Sequence, residues 1–509
     1  MLSRPWQAPV SKIKEETMKR KCILLVLLCF MVIMLFPSVP ALAEDTHYTY
    51  TYDWWGLNRE SPDAYEANTS ITGDKLGIGD FLNPQGFFVR DNLIYVCDTG
   101  NNRIVVIEKA DGVYRLKEVI TEFTGETDIN TFSGPMDIFV TGKGEFYLCD
   151  TENQRVVHLN ANRELVKELV RPADETVDQE SSFYPQKVVV DSSGRAVVLV
   201  KNYNKGFVEY KNTGEFSGFI GANEVKFNMI DYIWKRFATK EQRAQMETFV
   251  PTEYNNLGLD KDEFIYCTTS VFKERELQND KAKPIRKLNA MGTDILVRNG
   301  EYPPIGDLMW GNAAGVSGAS KFVDVTAMDN DTYFVIDRTR GRIFGYDFQG
   351  NLLYAFGSLG NRLGYFNYPT ALEHMENNLL VLDSGNVSIT VFSLTQYGQL
   401  INDALMEYKR GNYDTSAAYW EEVLTQNGNY DLAYIGIGRS LLRQGNYKKA
   451  MEYFKLKYDE ENYSKAFQLY RKQWIEEKIG WIVGVFFAII ILPSLIGFVK
   501  KIKREVEEE

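Results

Sequence analysis

One phrase recurs along this chain and limits its fold more than any other feature: a strand-like run ending in Asp, a short polar loop, an Arg, and a second strand-like run. Cys97-Asp98-Thr99-Gly100-Asn101-Asn102-Arg103-Ile104-Val105 is the clearest copy, and Cys149-Asp150-Thr151-Glu152-Asn153-Gln154-Arg155-Val156-Val157 and Ile336-Asp337-Arg338-Thr339-Arg340-Gly341-Arg342-Ile343-Phe344 repeat it. Leu380 to Asp383 keeps the Asp but has Ser388 in place of the Arg, and Val198 to Lys201 and Tyr266 to Thr268 hold the same place without an Asp. Counted on Asp98, Asp150, Lys201, Thr268, Asp337 and Asp383, the six copies follow at spacings of 52, 51, 67, 69 and 46 residues. Four of them are preceded by an aromatic and a proline: Phe81 with Pro84, Phe132 with Pro135, Phe183 with Pro185, and Phe366 with Pro369. Glycines at 112, 214, 292 and 350 mark later turns. Alternating apolar strands at this period describe a four-stranded antiparallel blade, and six blades describe a propeller over 81–398.

These residues resemble the NHL-repeat family of six-bladed β-propellers, whose signature is a Tyr-Val-x-Asp strand, an Asn-rich turn and an Arg-Ile/Val strand. Blades one, two and five carry the resemblance most strongly. Blade three has Lys201 where the Asp would stand and Gly206 where the Arg would stand. Joint loss is what a structural ion pair predicts, because half of a pair left beneath a turn costs more than none. Asp98 with Arg103, Asp150 with Arg155 and Asp337 with Arg342 are therefore read as turn locks rather than ligand contacts.

The circular array must close. Residues 44–80 are read as a closing strand and linker, with the alternation from His47 to Trp55 either completing the last blade or packing on a propeller face. Its aromatics, if exposed, would instead make a sugar-stacking edge. The wide spacing between blades three and four marks an insertion at about 223–250, where Phe227, Ile230, Ile233, Trp234 and Phe237 recur at helical intervals. It reads as a lid or docking knob, or as a cap filling the gap between blades.

From 401 to 472 the period changes. Arg410-Gly411-Asn412-Tyr413 and Gln444-Gly445-Asn446-Tyr447 lie 34 residues apart, the tetratricopeptide period with its Gly-x-Tyr turn. Such units either present a concave peptide-binding surface or form a stalk. Tyr434, Arg439, Tyr463 and Arg471 are the candidate partner-binding residues, because aromatic and Arg side chains anchor interfaces. Residues 479–499 carry no charge and are long enough to span hydrocarbon; Lys500, Lys501, Lys503 and Arg504 follow, which puts a tail of 500–509 in the cytoplasm. At the other end, Lys19, Arg20 and Lys21, an apolar run from Cys22 to Phe36 and Ala41-Leu42-Ala43 read as a signal peptide over 1–43, starting from Met1 or Met18.

The fold class expected is thus mainly β, a six-bladed propeller, with a tetratricopeptide-like helical segment and one transmembrane helix. With 57 Lys and Arg against 69 Asp and Glu, the chain is too acidic to grip phosphate backbones, which excludes nucleic acid as the main partner. Cys97, Cys149 and Cys267 fall at one place in the repeat and read as buried packing thiols. The three histidines, His47, His158 and His374, form no zinc motif, and no Gly-x-Ser-x-Gly or phosphate-loop pattern occurs. No catalytic residue, metal or cofactor is assigned. The order of parts resembles bacterial surface proteins encoded near carbohydrate transporters, and that resemblance implies a membrane-anchored extracellular binding or scaffold protein. Its expected partners are a protein, such as a transporter component, and a carbohydrate. The alternative is a metal-dependent propeller lactonase or lyase, for which Asp137, Asp191, Asp260 and Asp324 would be ligand candidates if they are not turn formers.

Overall fold

The computed structural model describes residues 49–222, 254–279, 282–310 and 316–507. The segment expected to be a signal peptide and the insertion expected at about 223–250 lie outside the described residues. Six antiparallel blades are arranged in a ring. Blade one runs Gly86–Arg90, Leu93–Asp98, Arg103–Ala110 and Val113–Ile120; blade two runs Pro135–Val140, Phe146–Asp150, Arg155–Leu159 and Leu165–Leu169. Blade three spans Pro185–Val190 to Phe216–Ile220, blade four pairs Asn256–Leu259, Ile265–Thr268 and Ile285–Leu288, and blade five spans Phe322–Ala327 to Leu352–Phe356. Inner strands contact one another in order around the ring, and the first strand of blade six, Pro369–Met375, returns against that of blade one.

The strand chemistry follows the repeat. Each Asp ends a second strand and each Arg opens the third, so Asp98 faces Arg103 and Asp150 faces Arg155 across the hairpin. Prolines 135, 185 and 369 open inner strands, where a missing N–H interrupts no ladder. Phe81, Phe132, Phe183 and Phe366 are all buried between blades. The three cysteines are free and fully buried, and burial pushes their thiols above the ordinary range.

The ring closes with Tyr65–Thr72, which pairs antiparallel with Ser388–Leu394 as the outer strand of blade six. The alternating segment before it does something else. Tyr50–Tyr52 adds to the outer edge of blade five beside Leu352–Phe356, and Asn58–Glu60 pairs with it in turn. The alternation of the earlier segment is satisfied by packing on blade five, where Tyr50 is buried with Phe344, Tyr346 and Ala355.

Helices follow blade six without a linker. Thr395 sits one residue past the last strand and accepts the Gly398 N–H as the N-cap of α1 (Gln396–Arg410). Then come α2 (Tyr413–Gln426), α3 (Asp431–Arg443), α4 (Tyr447–Leu456) and α5 (Glu460–Glu507), each packed on the one before. The turns after α1 and α3 hold Gly411 and Gly445 at φ of 86° and 84°, a left-handed conformation that glycine adopts without steric cost. The helices share a core with the propeller: Tyr397, Ile401, Trp420, Tyr430 and Ile437 pack in one cluster with Phe334, Tyr354 and Phe392. Helix α5 has 48 residues and is the one helix among those described that is long and apolar enough to cross a membrane, with a mean hydropathy of 2.8 over its apolar window.

Candidate functional site

Where the inner strands converge they enclose a channel of about 730 Å³ that opens on the face carrying the hairpins between first and second strands, at Lys143, Gly194, Lys261 and Asp329. Its floor is built by residues at or near the inner-strand starts, which the blade geometry brings together from distant parts of the chain. Gly86 of blade one lies so close to blade two that a Cβ there would stand 2.4 Å from the Met136 carbonyl oxygen and 2.9 Å from Asp137 Oδ1. Asp137 Oδ2 accepts the backbone N–H of Val188 at 3.0 Å, and its Oδ1 lies 3.2 Å from Lys187 Nζ, both on blade three. Asp324 repeats the device: it accepts the Leu372 N–H of blade six at 2.8 Å, the Val325 N–H at 2.7 Å and the side-chain amide of Asn256 from blade four. These carboxylates staple neighbouring blades.

Lys187 is a cation among Asp137, Asp324 and Glu373. Burial alone would depress its ammonium, but the three carboxyl groups outweigh burial and hold it above its ordinary range. Burial pushes Asp137 up to about 6 and also raises Asp324. Glu373, whose Oε2 accepts from Thr326 Oγ1 at 3.5 Å, is raised well above the carboxylate range by burial and then by Asp324. His374 is lowered by burial and shares a 2.8 Å hydrogen bond with Thr326 Oγ1. The cluster therefore keeps the Lys187 charge, and its carboxyl groups hold their protons to higher pH than exposed carboxyl groups do.

A lactonase or lyase would need a divalent ion among these carboxyl groups, and the residues do not fit one. The Lys187 ammonium stands where a cation would be drawn, and the oxygens of Asp137 and Asp324 are taken by N–H donors. Among the described residues, no group of three His, Cys, Asp or Glu side chains is placed to share a metal. Asp191 and Asp260 close tight turns, accepting the N–H groups of Arg195 and Phe264 respectively, each at 2.9 Å. Asp137 and Asp324 are not turn formers. Lys187 and Asn256 escape a reading of the sequence that looks for acids and histidines alone, and Glu373 does not stand out among the acids; the available signal for Lys187 is the polar residue two places after a strand-opening proline, as in Pro135-Met136-Asp137 and Pro185-Gln186-Lys187.

The expected turn locks divide. Arg103 Nε donates to Asp98 at 2.6 Å, and Arg155 Nε donates to Asp150 at 2.9 Å with Nη1 on Glu168 at 2.7 Å. In blade five the pairing differs. Arg342 lies over the ring of Tyr50, donates to its hydroxyl at 2.9 Å and reaches Asp307 at 3.3 Å, while Arg340 approaches Asp337 at 3.6 Å. The added strand at Tyr50–Tyr52 supplies the competing acceptor. Common to all four Asp copies is a different contact, to the segment arriving from the previous blade. Asp98 accepts the Leu82 N–H, Asp150 that of Ser133, Asp337 that of Lys321, and Asp383 those of Asn367 and Tyr368, at 2.7 to 2.8 Å.

The four candidate partner residues are not gathered on one surface. Tyr434 donates to the Gly428 carbonyl at 3.1 Å under Lys457, and Arg439 donates to Gln349 of blade five. Tyr463 and Arg471 are exposed on α5, two turns and about 12 Å apart.

Several solved structures are similar to this chain. A streptogramin B lyase has 12% identity and a TM-score of 0.39, covering 65% of this chain and all of its own. A virginiamycin B lyase from Staphylococcus aureus has 14% identity and a TM-score of 0.36, covering 65% of this chain and 89% of its own. A protein of unknown function from Bacteroides thetaiotaomicron has 11% identity and a TM-score of 0.39, covering 69% and 76%. No family model matches the chain, and no curated protein matches it.

Proposed function

We propose that this chain is a membrane-anchored binding or scaffold protein that holds its propeller outside the cell, with the basic tail after Val499 in the cytoplasm. The observation that carries the reading is α5: one helix runs unbroken from its packing on α4, through Ala466, into the apolar stretch. A propeller fused to helices that share its core, and a span continuous with the last of them, is a mount for a recognition surface. We read the blades as NHL-like and the helices as tetratricopeptide units, supported by the 34-residue spacing of Gly411 and Gly445. The partner is a protein, and the resemblance described above suggests a component of a carbohydrate-uptake system.

Tyr463 and Arg471 are the residues of the candidate set that remain outward on the exposed length of α5. Cross-linking in intact cells followed by affinity isolation of the tagged full chain is expected to recover a membrane protein. Tyr463→Ala with Arg471→Ala should cut that recovery by about tenfold, the effect of losing about 1.4 kcal/mol at an interface anchor. Recovery of the chain alone would overturn the scaffold reading. Unchanged recovery with a lowered melting temperature would make the two residues part of a stalk.

A further inference from the structure

A second concavity, of about 240 Å³, lies between the turn at Asp53–Gly56 and the turn that joins α4 to α5. Its walls are aromatic. The Trp55 and Tyr458 rings meet edge to face with centroids 5.8 Å apart, and the Trp54 ring lies 6.3 Å from that of Tyr458, tilted to it. Trp55 is 64% exposed and Tyr458 56% exposed, unusual for rings that would gain by burial.

Both aromatic walls are held rigidly. Asp53 Oδ1 accepts the Trp55 and Leu57 N–H groups, each at 2.9 Å, Gly56 turns back onto the Asp53 carbonyl, and the Trp54 N–H donates to Asp431 Oδ2 at 3.1 Å. Tyr458 has φ of 58°, a conformation a bulky side chain rarely takes. The turns after α1 and α3 put glycine in that conformation; here a tyrosine is held in it, with its ring toward the two tryptophans.

We infer that this cleft binds one ring of a neutral sugar. The volume is below the roughly 300–1,000 Å³ of drug-sized pockets and suits a single ring rather than an extended chain. The charges at its rim cancel in place: Asp53 is held by Arg59 at 2.7 Å and Asp431 by Lys457 at 2.6 Å, so neither an anion nor a cation meets an unbalanced charge. An ammonium ligand, which three aromatics would otherwise suit, finds no free carboxylate here, because both rim acids are already paired. What remains is an apolar corner that stacks on the C–H face of a pyranose, with the Arg59 guanidinium and the Asn429 amide at the edge as donors for ring hydroxyls. A lipid headgroup is out of reach. Helix α5 begins at Glu460, just after Tyr458 and 19 residues before Ile479, a rise of about 29 Å that a tilt of about 20° hardly shortens.

The test uses the full chain in nanodiscs, so that no sugar-headed detergent competes. Maltotetraose, cellotetraose and xylotetraose are titrated by calorimetry and by tryptophan fluorescence, with choline as the cationic control. At least one of the three sugars is expected to saturate. Trp55→Ala should weaken it roughly tenfold or more, the scale of a lost anchor, while Trp55→Phe keeps most of the affinity. Tyr458→Gly relieves the backbone and should keep or raise the melting temperature while losing sugar, which separates binding from folding. Saturation by choline alone, no saturation by any sugar, or sugar binding unchanged in Trp55→Ala and Tyr458→Gly would overturn the assignment. The site is independent of the scaffold reading: sugar binding without a recovered protein partner would fail that reading and leave this one standing.

Discussion

If the Asp of each repeat acts chiefly by gripping the segment that arrives from the previous blade, removing it must cost more than removing the Arg beside it. Asp98 is fully buried and accepts from the Leu82 N–H at 2.7 Å, the Asn101 amide at 2.8 Å and Arg103 Nε at 2.6 Å. Asp98→Ala leaves the Leu82 N–H without its acceptor and Arg103, whose side chain is 16% exposed, without its counter-charge. Breaking a buried pair in this way costs about 3–5 kcal/mol. Arg103→Met keeps the stem packed and leaves Asp98 two of its three donors, so the loss is about 1–3 kcal/mol. Blade six supports the lower figure, because Asp383 holds its place there with Ser388 opposite and four backbone N–H donors within 3.1 Å. Thermal unfolding of the full chain in nanodiscs reads the difference at about 2 °C per kcal/mol for a domain of this size. Asp98→Ala should melt well below Arg103→Met, and the double variant should fall short of the sum because the two residues share a contact. A melting temperature for Arg103→Met at or below that of Asp98→Ala would refute the argument and restore the ion pair as the main lock.

Two further outcomes follow from the channel and the span. Asp137 titrates near 6 in the fold against about 4 when unfolded, so the native state binds the extra proton between these values and its stability falls as pH rises through them. Relative to Asp137→Asn, the wild type should lose on the order of 3 kcal/mol between about pH 4 and pH 7; a constant difference in melting temperature across that range would dismiss the buried proton. A chain stopped after Lys478 should leave the membrane fraction on alkaline extraction, and its retention there would show that α5 is not the anchor.

The blades were legible because each repeat carries its own chemistry: an Asp that needs several donors, a proline that tolerates a strand start, an aromatic that fills the gap between blades. The closing strand was not. Tyr65-Glu66-Ala67-Asn68-Thr69-Ser70-Ile71-Thr72 is an outer strand with one face in water, and its apolar signal is weaker than that of the tyrosines at 48, 50 and 52. The channel cluster was half legible. Asp137 and Asp324 stood out as acids, whereas Lys187 and Glu373 acquire meaning only when the ring closes and sets residues nearly 190 positions apart around one axis. The Arg342 partner was illegible for the same reason, since Tyr50 and Asp307 come from segments outside the repeat.

The helices change what can move. A tetratricopeptide stack on a linker would swing independently of the propeller, but here α1 begins two residues after the last strand, Tyr430 donates to the Leu353 carbonyl at 2.8 Å, and Asn427 and Tyr397 both bond Ser61 beside the closing strand. Arg439 and Lys409 add polar contacts to the turns at Gln349 and Asp331 of blade five. Separating the two parts would expose Trp420, Tyr430 and Phe334 to water, at roughly 1.5–3 kcal/mol for each large apolar side chain, before any of these hydrogen bonds is counted. The propeller and helices α1 to α4 therefore form one body, and α5 transmits its orientation to the apolar span. Under the scaffold reading proposed above, a partner bound to α5 would meet the propeller at a fixed angle.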